Sequence, residues 1–139
     1  MYKKILVTLD ATACDQAILA HVIPLAKLCD ASVSLLHVAD GWAARTFGRE
    51  AVSPEITEDN VYLRKMRNQL ESHGIATTAE LAYGDPRTEI LKWVDEKGCD
   101  LIAMSTHGHR FLGDLLFGTT ASHIQHRVDV PVLLVRSKS

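Results

Sequence analysis

Lys3-Lys-Ile-Leu-Val-Thr-Leu-Asp10 opens the chain with a run, Ile5 to Leu9, that is apolar on both faces apart from Thr8. A strand covered on both sides reads this way. The segment Asp15 to Cys29 follows with Ile18, Val22 and Leu25 at helical spacing, which predicts a helix with one apolar stripe. Pro24 falls inside that helix and predicts a kink. Val33-Ser-Leu-Leu-His-Val38 is then a second buried strand. Strand, helix and strand in this order build a parallel sheet through crossover connections.

The alternation continues outward from this unit. Residues Ala39 to Asn60 show no clear period and contain Trp42, Phe47, two glycines and Pro54. A connection of this length in a compact domain points to a functional flap or a mobile segment. A helix is expected from about Glu58 to His73, with Leu63, Met66 and Leu70 as its stripe and Gly74 as its stop. Ala76 to Tyr83 reads as the most polar strand. Gly84-Asp-Pro86 starts a helix running to about Lys97, with Pro86 in its first turn and Ile90, Leu91 and Val94 facing inward. Leu101-Ile-Ala-Met104 is a further two-faced strand, and Ser105 to Phe117 reads as a loop of glycine, histidine and polar residues. A short helix from Thr119 to about Arg127 leads to the last strand, Val130-Pro-Val-Leu-Leu-Val135. The expected fold class is α/β: one open five-stranded parallel sheet with helices on both faces, in a single domain over residues 1–139.

Composition narrows the function. The chain has 139 residues, 47% apolar and 23% charged, which suits one globular core. The 15 Lys and Arg nearly cancel the 17 Asp and Glu, so broad electrostatic binding of nucleic acid is not expected. Cys14, Cys29 and Cys99 are odd in number and widely spaced, with no CxxC pair. A disulfide framework or thiol-rich zinc site is therefore not expected, and the cysteines fit a reducing compartment. No apolar run approaches the roughly 20 residues that span a bilayer. Asp10 ends the first apolar run too early for a signal-peptide core. The expectation is a cytoplasmic protein with no membrane partner.

In an open α/β sheet, ligands bind beyond the C-terminal ends of the strands, where the strand order reverses. Three segments occupy such ends: Thr8-Leu-Asp10, His37-Val-Ala-Asp40, and Ser105 to Thr120. The third reads Ser105-Thr-His-Gly108-His-Arg-Phe-Leu-Gly113-Asp-Leu-Leu-Phe-Gly118-Thr119-Thr120 and then enters a helix. Glycine permits tight turns and close approach of a ligand. Free N–H groups of Gly118, Thr119 and Thr120 at a helix N-terminus would favour an anion. On these grounds alone the loop is open to two readings, a phosphate cradle or a set of turn and cap glycines. It contains no GxxxxGK[ST] loop, and no GxGxxG follows the first strand. Those absences argue against a P-loop NTPase and a classical dehydrogenase.

At these residues the chain resembles the universal stress protein family, whose members carry Gly-x2-Gly-x9-Gly-(Ser/Thr) after the fourth strand. Gly108 and Gly118 are separated by nine residues and Thr119 follows, while Ser105 stands where the pattern has its first glycine. The likeness extends to the Lys3–Asp10 opening, the Leu36-His-Val38 strand end, the Gly84-Asp-Pro86 turn and the closing Val130–Val135. It implies a Rossmann-like sheet of order 3-2-1-4-5 and a site for ATP or a related adenine nucleotide, with Mg2+ as companion ion. Asp10 would face the ribose, with Thr8 beside it, and the backbone of Val38 would read the adenine edge. Met104, Ser105 and Gly108 would border the sugar and phosphates, which Gly118, Thr119 and Thr120 would hold. A Cβ at position 105 would either crowd the ligand or supply a hydroxyl to it.

The seven histidines suggest further chemistry. His123 and His126 lie three apart on the last helix, a spacing that can serve a metal, but Asp114 is the only nearby acid. His107 and His109 fit better as donors to phosphate, with Arg110 as a charge clamp. No Ser/His/Asp or Cys/His order supports a catalytic triad, so Asp10 is expected to position the nucleotide rather than drive hydrolysis. Trp42 and Phe47 are candidates to cover the adenine or to pack on the domain. An apolar last strand at a sheet edge is an association template. A two-fold homodimer through Val130–Val135 is therefore expected. The function so inferred is a stress-response protein regulated by an adenine nucleotide. The alternatives are a dimer acting through protein contacts alone and a slow ATP hydrolase.

Overall fold

A computed structural model describes residues 1–39, 54–106 and 120–136. Strand β1 (Lys4–Leu9) leads to helix α1 (Cys14–Cys29), and β2 (Ser32–Ala39) follows. Helix α2 (Pro54–Glu71) precedes β3 (Thr77–Tyr83), and α3 (Pro86–Lys97) precedes β4 (Leu101–Thr106). Residues 120–125 are helical and are labelled α4, and β5 (Val132–Arg136) closes the sheet.

The sheet order is β3-β2-β1-β4-β5, and every neighbouring pair is parallel. β1 occupies the centre, which explains why its sequence is apolar on both faces. Ile5, Val7 and Leu9 bury into one cluster, while Leu6 buries into the other. The first cluster receives Ile18, Leu19 and Val22 from α1 and Leu63, Met66 and Leu70 from α2. The second receives Ile90 from α3 and Ala121 and Ile124 from α4. Two helices thus cover each face, and both layers exclude water from the sheet. β3 lies at an edge, and its Thr78 and Glu80 are exposed, as its polar sequence requires.

Several expected boundaries move. Helix α2 begins at Pro54, not near Glu58. The fixed φ of proline suits a first helical turn, where its missing N–H costs no hydrogen bond. Strand β4 runs on through Ser105 and Thr106, which were expected in a loop. They stay in the sheet because Val135 and Arg136 of β5 pair with them. Strand β5 starts at Val132, not Val130. Pro131 has no N–H for the ladder, and its carbonyl accepts from Ile102 N–H at 3.0 Å just before the strand. Helix α1 begins at Cys14 and runs on through Pro24 to Cys29. Pro24 and Ala20 both lie on the exposed side, where water can satisfy the carbonyl the proline leaves unbonded.

Glycine is required at the end of α2. Gly74 has φ +80, a left-handed conformation, and Ile75 N–H then returns to the Leu70 carbonyl. The three cysteines are free and half-buried. Burial and the neighbouring Asp100 push the Cys99 thiol up.

Candidate functional site

The strand order reverses between β1 and β4, so their C-terminal ends open the crevice where ligands settle in such sheets. Thr8 and Asp10 come to this place from β1 and the turn after it, and Met104 and Ser105 from β4. Val38 lies at the end of the neighbouring β2, half-buried, and packs against the cluster that contains Met104. Thr120 is buried at the described start of α4, beside Ala121 of the same cluster. Gly108, His109, Arg110, Gly118 and Thr119 lie outside the described residues, as do His107, Asp114, Trp42 and Phe47.

Two hydroxyls in the crevice are chemically conspicuous. Thr8 is 2% exposed and Ser105 is 1% exposed. Among the described residues neither Thr8 Oγ1 nor Ser105 Oγ has a hydrogen-bond partner. A buried hydroxyl without a partner costs about 1–3 kcal/mol. Strand alternation puts Thr8 on the face of Leu6 and Ser105 on the face of Ala103. The two hydroxyls therefore face opposite sides of the sheet.

The turn after β1 is tightly held. Asp10 Oδ1 accepts from the N–H of Thr12 at 3.1 Å and from the Thr12 hydroxyl. The Thr12 hydroxyl in turn accepts from Cys14 N–H at 3.2 Å, at the start of α1. Asp15 is fully buried. Its carboxylate accepts from Asp10 N–H at 3.0 Å, Ala11 N–H at 2.9 Å and the Tyr62 hydroxyl at 2.6 Å. Burial pushes the Asp15 carboxyl up to about 7, although the Tyr62 hydroxyl favours its charged form; the nearby Asp10 charge adds to the rise. Burial and the Asp15 carboxylate push the Tyr62 phenol up as well.

On the other side of the turn, the Leu9 carbonyl accepts from His37 Nδ1–H at 2.8 Å. His37 Nε2 lies 3.4 Å from Asp59 Oδ2, and both side chains are largely buried. Of these four residues, His37 lies in a strand-end segment singled out from the sequence, whereas Asp15, Tyr62 and Asp59 were not among the expected site residues. Their contacts span 28 to 47 positions along the chain for His37 to Leu9 and Tyr62 to Asp15, beyond the reach of local pattern. The one sequence signal was an acid, Asp15, on the inner side of a helix that otherwise buries apolar residues.

Among the described residues no group of three His, Cys, Asp or Glu could hold a metal. His126 is exposed and His123 half-exposed. No described helix is long and apolar enough to cross a membrane.

The family model of the universal stress proteins matches residues 1–136. The chain belongs to that family. Among solved structures it is similar to the hypothetical protein MJ0577 of Methanocaldococcus jannaschii, with a TM-score of 0.83 and 30% identity. The match covers 100% of this chain and 99% of that one. The universal stress protein of Archaeoglobus fulgidus in complex with dAMP superposes with a TM-score of 0.72 at 18% identity. That match covers 96% of this chain and 98% of the other. A universal stress protein in complex with cAMP gives 0.74 at 15% identity, covering 96% and 97%. The last two likenesses concern the fold.

Proposed function

We propose that this universal stress protein binds an adenine nucleotide, ATP or a close relative, as a regulatory ligand between the ends of β1 and β4. The observation that carries the reading is the pair of unpartnered buried hydroxyls, Thr8 Oγ1 and Ser105 Oγ, at the reversal point of the sheet. Buried polar groups without partners suit a ligand rich in hydroxyl and phosphate oxygens. The adenine complexes of the two fold relatives support the same choice.

In this reading Asp10 faces the ribose, the Val38 backbone meets the adenine edge, and Met104 and Ser105 border the sugar. Gly108, Gly118, Thr119 and Thr120 hold the phosphates, with His109 and Arg110 adding donors and charge. Mg2+ accompanies the phosphates. Ser105 serves as a donor rather than as an obstruction, because its hydroxyl is already housed within β4.

The role is binding rather than turnover. Asp10 Oδ1 already accepts two hydrogen bonds from Thr12, which suits a positioning group better than a free base. The protein acts in the cytoplasm as a single-domain protomer of a two-fold homodimer joined through β5. Leu134 supports the dimer, since it is 38% exposed on an apolar edge strand. Calorimetric titration with Mg-ATP tests the nucleotide site directly. Micromolar binding supports it, and no heat from folded protein refutes it.

A further inference from the structure

The peptide unit between Leu9 and Asp10 is held at both ends. Its carbonyl accepts from His37 Nδ1–H at 2.8 Å, and its N–H donates to Asp15 Oδ1 at 3.0 Å. The next N–H, on Ala11, donates to Asp15 Oδ2 at 2.9 Å. Each holder is itself held from helix α2. Asp59 Oδ2 faces His37 Nε2 at 3.4 Å, and the Tyr62 hydroxyl donates to Asp15 Oδ2 at 2.6 Å. Asp59 and Tyr62 are three residues apart, on one face of the helix.

The turn needs such support. Ala11 has φ +62, a conformation that costs an alanine about 1 kcal/mol or more. Hydrogen bonds from two backbone N–H groups to the one Asp15 carboxyl group offset that strain. Helix α2 has a firm base from which to act. Met66 and Leu70 are fully buried, and Gln16 of α1 reaches Met66 Sδ at 3.7 Å.

We infer that Asp59 and Tyr62 are positioning residues for the nucleotide site: through His37 and Asp15 they set the Leu9–Ala11 backbone and so the direction in which Asp10 is presented. The consequence for affinity rests on the proposed nucleotide reading; the grip on the turn does not. Helix α2 touches the site through these two relays, so any shift of α2 is transmitted to Asp10.

The test uses two readouts on the full chain. The first is amide hydrogen exchange at Asp10 and Ala11 in ligand-free protein, followed by NMR, with Ile5 and Ile102 as core controls. Tyr62→Phe removes only the donor hydroxyl and is expected to speed exchange at Asp10 and Ala11 by about tenfold relative to the controls. Asp59→Ala, on the other relay, is expected to speed Asp10 selectively. The second readout is Mg-ATP affinity in a cycle with Asp10→Asn. Tyr62→Phe is expected to weaken binding about fivefold in the native background and less than about twofold when Asp10 is already replaced. Unchanged exchange in both variants overturns the grip. An equal loss of affinity with and without Asp10 assigns Tyr62 a merely structural role and overturns the positioning. Should native protein bind no Mg-ATP, the nucleotide reading fails while the exchange data still decide the grip.

Discussion

Thr8 on β1 and Ser105 on β4 bury their hydroxyls on opposite faces of adjacent strands, with no partner among the described residues. The two positions should respond alike to removal of the hydroxyl. In the free protein Thr8→Val and Ser105→Ala each delete a polar group that gains nothing from the fold. Each is expected to be neutral or to raise stability by up to about 1 kcal/mol in urea unfolding. Each should also weaken Mg-ATP binding by about fivefold, because the ligand loses its partner. A variant that unfolds more readily would mean the hydroxyl is already satisfied in the native state.

Asp15 gives stability a distinctive pH dependence. Its ordinary value is 3.8, and burial first among the causes raises it to about 7 in the fold. Below about pH 4 the carboxyl is protonated in both folded and unfolded chains, and its full stabilising contribution is present. Between about pH 4 and about pH 7 the unfolded chain loses the proton while the folded chain keeps it. Stability therefore falls as pH rises through that window and levels off above it. Urea unfolding at a series of pH values should show this decline in the native protein. The difference between native protein and Asp15→Asn isolates it, since the asparagine does not titrate. Parallel curves for the two would contradict the assignment.

Ala11 and Gly74 form a matched pair of backbone tests. Ala11 holds φ +62 despite its Cβ, so Ala11→Gly is expected to raise stability by about 0.5–1 kcal/mol. Gly74 has φ +80 with open space around it, so Gly74→Ala loses about 1 kcal/mol from backbone conformation alone. Thermal unfolding of the two variants should move in opposite directions.

The proposed dimer would join through the exposed edge of β5. Leu134→Arg places a charge on that edge, and the charge would have to be buried if β5 pairs with its copy. Native protein is expected at twice the chain mass in light scattering at micromolar concentration, and the variant at the chain mass. A native monomer would remove the β5 interface.

Much of the fold was legible because β1, β2 and β4 are apolar on both faces, a pattern that parallel strands under helices produce. The stripe Leu63, Met66 and Leu70 was legible for the same reason, as all three bury in one cluster. Boundaries were harder where tertiary pairing overrides local chemistry. Ser105 and Thr106 look like loop residues, yet the β5 ladder extends the strand through them. Pro54 looks like loop punctuation, yet it opens a helix. Near the candidate site, the sequence pattern put Asp10 and Val38 at strand ends, while Met104 entered through the family resemblance and Ser105 was read as the start of a loop. The supports behind Asp10 were not legible, because Tyr62 to Asp15 and Asp59 to His37 are contacts between distant segments. Packing of α2 on β3 and β2, alongside α1, creates them.

The most direct measurement of the proposed nucleotide site is mass spectrometry of small molecules released by denaturing freshly purified protein, joined to calorimetric titration of Mg-ATP. Adenine nucleotide near one per chain, or micromolar binding by stripped protein that weakens in Ser105→Ala and Thr8→Val, is the expected result. Folded protein that releases no nucleotide and takes up none would contradict the proposed site.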